Sequence, residues 1–258
     1  MPSESLPDLL DFARQIAFEA GRLTLGYFQT GVKPDFKADD TPVTIADKKA
    51  EELIRKQIET AYPHHGILGE EFGEVREGTS HRWIIDPIDG TKSFMCGVPI
   101  YGTLVGLEID GKPEAGVAYF PGLDEMISAG TGLGCSLNGR ACRVSDQTDL
   151  SRAIMSHADT AAYAKAGKTN RWDRLQNSVY YNAGWCDAYG YLLVASGRIE
   201  IMSDPVMNIW DCAPFVPILR EAGGYFGDWA GNEGIDFGES LGTSQQLLGA
   251  VLEAIGEE

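Results

Sequence analysis

The chain predicts an α/β or α+β protein built of stacked layers, and three observations carry that expectation. Stretches with apolar residues at three- and four-residue steps lie at both ends, as amphipathic helices require. Short apolar runs bounded by Asp-Gly and Asn-Gly pairs fill the middle, as strands and hairpins require. The two kinds alternate without a strict βαβ rhythm, so a purely parallel sheet is not expected. With 258 residues, 43% of them hydrophobic, the chain can bury a large core, and one intimate two-part unit over 1–258 is expected rather than two independent domains.

Taken in order, Leu6 to Phe28 places Leu9, Phe12, Ile16, Ala20, Leu23 and Tyr27 on one helical face, with Gly31 near the stop. Val32 to Asp40 reads as a short extended piece and a mobile loop. Thr44 caps a second helix running to about Ala61, with Asp47 in its first turn, where an acid is favourable to the helix dipole. Ile67-Leu68-Gly69 is a short apolar approach to Glu70-Glu71, and charged Glu74 to His81 reads as a surface loop. The neighbouring His64 and His65 point apart in extended chain and lack a third nitrogen or sulfur ligand at a sensible spacing, so a zinc site is not expected there.

Trp83 to Ile85 reads as an interior strand, Pro87 as its end, and Gly90 as the turn into a further element. Tyr101 to Glu108, Gly116 to Phe120 and Glu125 to Ala129 form an antiparallel region, with turns at Asp110-Gly111 and Asn138-Gly139. In the second half, strands are expected at Ala153 to Ser156, Val179 to Asn182, Ile199 to Met202 and Tyr225 to Asp228. Thr160 to Thr169 reads as a loop or lid. Helices are expected at Asp187 to Ala195, at Ile209 to Glu221 despite Pro214 and Pro217, and at Ser244 to Ile255.

The formal charge of -17 argues against a nucleic-acid backbone or an anionic membrane as the main partner. It leaves a phosphorylated small molecule open, because clustered carboxylates can hold divalent cations that reverse the local sign. Five cysteines without C-x-x-C spacing, no basic n-region ahead of an apolar core and no run near the length of a membrane span suggest a cytoplasmic protein.

The most informative stretch is Trp83-Ile84-Ile85-Asp86-Pro87-Ile88-Asp89-Gly90-Thr91, where an apolar strand ends on two carboxylates beside a chain reversal. Acids this close repel unless a hard cation lies between them or a pKa rises. Amides at the start of an element from Gly90 to Phe94 would bind an anion beside that cation. Metal next to phosphate is one reading; an Asx-type turn with two solvated aspartates is the other.

This stretch resembles the signature of the inositol monophosphatase-like superfamily of magnesium-dependent phosphatases. Thr41-Pro42-Val43-Thr44-Ile45-Ala46-Asp47, Gly69-Glu70-Glu71, Trp210-Asp211 and Ala222-Gly223-Gly224 resemble its other motifs, in order. The resemblance implies an αβαβα layered sandwich of the inositol monophosphatase/fructose-1,6-bisphosphatase type. Residues 1–148 would carry most metal ligands, and 149–258 would close the substrate site. It implies two or three Mg²⁺ ions, held by Glu70, Asp86, the Ile88 carbonyl, Asp89 and Asp211, with Asp86 bridging and Li⁺ inhibiting. Asp47 and Thr91, helped by Glu70, would orient a metal-activated water, while the Gly90 and Thr91 amides would take phosphate oxygens. Relatives are commonly homodimers.

Lys92-Ser93-Phe94 and Trp185-Cys186-Asp187-Ala188-Tyr189 depart from the inositol pattern and resemble the histidinol-phosphate phosphatases of the superfamily. This implies hydrolysis of histidinol phosphate to histidinol and phosphate in histidine biosynthesis. Asp187 and Asp204 are two acids beyond the metal set that suit a cationic substrate, and Trp185, Cys186 and Asn208 complete the implied substrate residues. Trp185 equally suits a core position, and Asp187 a helix start. An inositol or nucleotide-bisphosphate phosphatase of the same superfamily, and a non-enzymatic metal-binding module, are the alternatives.

Overall fold

The computed structural model describes residues 4–37, 41–185 and 187–256. Helix α1 (Leu6–Leu25) starts at Ser5, whose side chain accepts from the Asp8 amide, and buries Leu9, Ala13, Ile16 and Ala20 on one face. Strands β1 (Asp35–Phe36) and β2 (Pro42–Val43) pair as a small hairpin. Helix α2 (Ile45–Ala61) follows the Thr44 cap, and Asp47 completes a reciprocal capping box with it.

Next come β3 (Gly66–Gly69), β4 (Gly73–Val75), β5 (His81–Asp89), the short helix α3 (Thr91–Met95), β6 (Gly102–Ile109), β7 (Lys112–Phe120), β8 (Glu125–Gly130), β9 (Gly134–Leu137) and β10 (Arg140–Ala141). Among the described residues these strands form one sheet in the order β10-β9-β8-β7-β6-β5-β3-β4. Only the β3–β5 pair in it is parallel.

The second half contains β11 (Ile154–His157), α4 (Thr160–Lys165), α5 (Thr169–Ser178), β12 (Tyr181–Ala183), α6 (Asp187–Ala195), β13 (Ile201–Asp204), α7 (Ile209–Cys212), α8 (Phe215–Glu221), β14 (Gly224–Gly227), β15 (Ser240–Ser244) and α9 (Gln245–Ile255). Its strands form a mixed sheet in the order β12-β11-β13-β15-β14.

Alternation along β5 makes the layers visible. Trp83 and Ile85 face α1 and α2 in one apolar cluster. Ile84, between them, points the other way and joins Tyr191 of α6, Phe215 of α8 and Phe226 of β14 in a second. Behind the smaller sheet a third cluster joins Met155 and Ile201 to Trp172 of α5 and Leu247 and Val251 of α9. The order is therefore helix, sheet, helix, sheet, helix, as expected.

Several boundaries differ from expectation. Pro87 does not end β5: pairing to β3 stops at Ile85, and pairing to β6 shifts register between Asp86 and Asp89, so no ladder bond is lost at the missing N–H. The Glu74 to His81 loop begins as β4, which pairs antiparallel with β3. Thr160 to Thr169 is not a lid but holds α4, capped by Asp159 and anchored by buried Tyr163, and the start of α5. Helix Ile209 to Glu221 is two helices, because Pro214 becomes the cap of the second. Cys96, Cys135, Cys142 and Cys212 are free thiols, with Cys135 and Cys142 Sγ atoms 3.4 Å apart. No helix among the described residues is long and apolar enough to cross a membrane.

Candidate active site

The motif residues meet where the end of β5 faces the second half of the chain. A cleft of about 220 Å³ is lined by Glu70, Asp86, Ile88, Asp89, Gly90 and Thr91 from the first half, and by Asp187, Asp204, Asn208 and Asp211 from the second. Carboxylate oxygens of Asp86, Asp89 and Asp211 lie within 4.8 Å of one another.

Each acid is fixed by backbone. The Ile88 amide donates to Asp86 Oδ1 at 2.9 Å, and the Ala188 amide, in the first turn of α6, donates to Asp89 Oδ2 at 2.8 Å. The Asn208 amide donates to Asp211 Oδ2 at 2.7 Å in the capping box of α7. Burial pushes all three pKa values up, and neighbouring acids add to it: Glu70, Asp89 and Asp211 for Asp86, and Asp187 and Asp211 for Asp89. Asp211 is pushed up to about 7. Three carboxylates crowded into one cleft, each with its pKa raised by burial, are a donor set that a hard divalent cation stabilises, so the residues fit such an ion.

Glu70 sits just past β3, with its amide bonded to the Ile85 carbonyl at 3.2 Å. Lys37 Nζ lies 2.8 Å from both Glu70 and Glu71. Burial works against that ammonium, but its bonds to the two acids outweigh it and raise its pKa. Burial likewise pushes Glu71 up to about 7, with Lys37 opposing.

Asp47 is fully buried, and its Oδ2 accepts from the Thr44 hydroxyl at 2.5 Å and the Thr44 amide at 2.9 Å. Burial raises its pKa and the Thr44 donors counteract this. Thr91 Oγ1 is 3.5 Å from Asp47 Oδ1, a weak contact, and donates to the Ile88 carbonyl at 3.2 Å. Gly90 has φ +79°, and a Cβ there would lie 3.1 Å from Asp187 Oδ2, so the left-handed turn and the close approach both require glycine.

At the other end of the cleft, Asp204 is buried, accepts from the Val206 amide at 3.0 Å and is shifted upward chiefly by burial. Asp187 starts α6 with a left-handed φ of +50°. Trp185 does not line this cleft; it is 39% exposed and borders an apolar recess with Ile100, Tyr189 and Leu193. Cys186 lies outside the described residues. Gly223 and Gly224 form the turn between α8 and β14, away from the cleft.

Two residues near the cleft were missed. Buried Glu51, one turn after Asp47 on α2, accepts from the Glu71 and Phe72 amides at 2.8 and 3.2 Å and so holds the turn that carries Glu70. The available signal was an acid on the apolar face of a helix. Lys37 offered no signal.

The histidines form a stack in which His65 lies 4.5 Å from His81, with Glu4 near. The Trp83 indole N–H donates to His65 Nδ1 at 3.0 Å, and burial, with His81, pushes His65 down to about 4, so the ring is neutral with its proton on Nε2. Neither nitrogen then has a free lone pair, and His65 is no metal ligand.

A layered fold of this kind, with carboxylates converging in one cleft, defines a phosphatase that works with metal ions on phosphate monoesters. The chain belongs to the inositol monophosphatase family, whose profile matches residues 5–256. It is 42% identical over 252 residues to histidinol-phosphatase of Chlorobaculum parvum, covering 97% of each chain. It is 35% identical to histidinol-phosphatase of Mycobacterium tuberculosis, covering 95% of this chain and 96% of the other. An inositol-1-monophosphatase of Mesorhizobium japonicum is 31% identical, with 96% of each chain covered. Among solved structures, the extragenic suppressor protein suhB of Bartonella henselae superposes with a TM-score of 0.89 at 28% identity, covering 96% of this chain and 98% of that one.

Proposed function

We propose that the chain hydrolyses histidinol phosphate to histidinol and phosphate, as a Mg²⁺-dependent enzyme of histidine biosynthesis. Similarity along nearly the whole chain to two histidinol-phosphatases supports this reading. The observation that carries it is the pair Asp187 and Asp204, two carboxylates in the cleft beyond the trio Asp86, Asp89 and Asp211. A substrate bearing an ammonium and an imidazole gains more from acids there than a neutral polyol does.

Glu70, Asp86, Asp89 and Asp211, with the Ile88 carbonyl, are the residues that would hold Mg²⁺. Bound there, the ions would neutralise phosphoryl charge and make water a better nucleophile, and Li⁺ would inhibit by replacing one of them. The protein's own part is positional. The Thr91 hydroxyl lies 3.2 Å from the Ile88 carbonyl and 3.5 Å from Asp47 Oδ1; turning its proton from the first to the second frees a lone pair for the incoming water, whose proton then passes through Thr91 to Asp47. The Gly90 and Thr91 amides meet phosphate oxygens, and the ester oxygen leaves as the alcohol after taking a proton from solvent water. Asp187, Asp204 and Asn208 hold the organic part. Residues 1–148 and 149–258 act as one unit in this reading, since both contribute acids to the cleft, and the enzyme is a cytoplasmic homodimer.

Phosphate release from histidinol phosphate, inositol 1-phosphate and a nucleotide 3′,5′-bisphosphate, each with and without Mg²⁺, tests the reading. Preferred, chelator-sensitive hydrolysis of histidinol phosphate is expected. Preference for inositol 1-phosphate would overturn the substrate assignment, and full activity in excess chelator would overturn the metal dependence.

A further inference from the structure

Six carboxylates line the cleft, and the one cationic side chain lining it among the described residues is Lys92. Lys92 directly follows Thr91 and is exposed, and its ammonium makes no hydrogen bond or ion pair among the described residues. Lys37, the other lysine near these acids, is already held by Glu70 and Glu71 at 2.8 Å. An ammonium beside so many acids would ordinarily collapse onto one of them. Here four of the acids are occupied by backbone donors at Ile88, Ala188, Val206 and Asn208, Glu70 is held by Lys37, and Lys92 lines the cleft exposed.

A phosphate dianion approaching a chain of net charge -17 meets general repulsion, so a local cation at the entrance matters for its capture. We propose that the Lys92 ammonium is a phosphate-binding group of the cleft, donating to a non-bridging oxygen of the substrate's phosphate from the side away from the buried acids. The inference rests on the cleft's taking a phosphate monoester, not on which alcohol the ester carries. Lysine acts here as a point charge on a flexible stem, so an arginine of equal charge should largely replace it and an uncharged chain of similar length should not. The phosphate carries similar charge in the ground and transition states, so the contribution belongs mainly to KM.

The test compares wild type, Lys92→Met and Lys92→Arg, loaded with metal, on the phosphate ester that wild type turns over best, with inorganic phosphate as product inhibitor. Lys92→Met should raise KM and the phosphate inhibition constant together by about three- to tenfold, as an exposed charge contact allows, with kcat within about twofold and the melting temperature unchanged. Lys92→Arg should restore most of both. Unchanged KM and inhibition constant in Lys92→Met would overturn the proposal, as would equal impairment of both variants with lowered melting temperature. If wild type hydrolysed no phosphate ester, the functional reading would fail separately, and titration of inorganic phosphate into wild type and Lys92→Met would still decide the role of Lys92.

Discussion

The two ends of the cleft are built differently. Asp86 and Asp89 stand at the end of β5, a strand paired on both sides from Arg82 to Ile85, on β6 alone beyond that, and packed between two apolar clusters. Asp187 stands at the start of α6 with a left-handed backbone, and Asp204 at the end of β13 in the smaller sheet, before a turn. Groups that must converge within a few ångströms sit on the rigid layer, where lost packing would cost several kcal/mol. The groups proposed to choose among substrates sit at element ends that can change without disturbing the sheet.

The comparison is broken most severely at the rigid end. Asp86→Asn should lower kcat by about 10²–10³-fold or more, because it would weaken the ligand proposed to be shared between the ions. Asp47→Asn should also slow turnover strongly but leave metal affinity nearly intact. Calorimetric metal titration beside turnover separates them, and the reverse pattern would exchange their roles.

A second effect follows from the buried acids. Their folded pKa values are raised above the unfolded ones, so the stability they contribute is complete below the unfolded value near 4 and is lost as pH rises through the folded values, about 7 for Asp211. Metal-free protein should therefore melt at lower temperature at pH 8 than at pH 5, by roughly 1 kcal/mol per ionising group and pH unit. Mg²⁺ should reverse the loss, and Asp86→Asn should flatten it. Melting curves across that range check it; a metal-free protein more stable at pH 8 would contradict the electrostatic account.

At the other end the effects should be smaller and selective. Gly90→Ala, which joins the two ends, should destabilise by about 1–2 kcal/mol through its left-handed φ, measurable by denaturant unfolding. Trp185→Ala should leave kcat/KM within about twofold, since this ring borders the apolar recess and not the cleft. A tenfold loss on steady-state assay would place it at the substrate.

How much of this was legible follows the same division. Trp83 to Thr91 announced its strand, its acids and its turn through an apolar run ending at Gly90, while the choice between a metal site and an Asx-type turn came only from resemblance. Thr44 and Asp47 were legible through the capping rule, and Asp187 to Ala195 through its helical spacing. The continuation of β5 through Pro87 was not, because it depends on where the neighbouring strands stop. The polar Thr160 to Thr169 stretch hid α4, whose stability comes from one buried tyrosine and an Asp cap rather than from an apolar stripe. The roles of Lys37 and Glu51 were hidden because their partners lie 33 and 20 residues away, although an acid on the apolar face of a helix marked Glu51 as unusual. The substrate end was readable only through resemblance.

The most direct test of the central claim is the ratio of kcat/KM for histidinol phosphate to that for inositol 1-phosphate, measured in wild type and in Asp187→Ala. The account predicts that wild type favours histidinol phosphate and that the substitution lowers the ratio by about ten- to a hundredfold, mainly through KM, as one partly buried charge-assisted contact allows. Equal losses on both substrates would make Asp187 structural, and a wild-type ratio favouring inositol 1-phosphate would contradict the account itself.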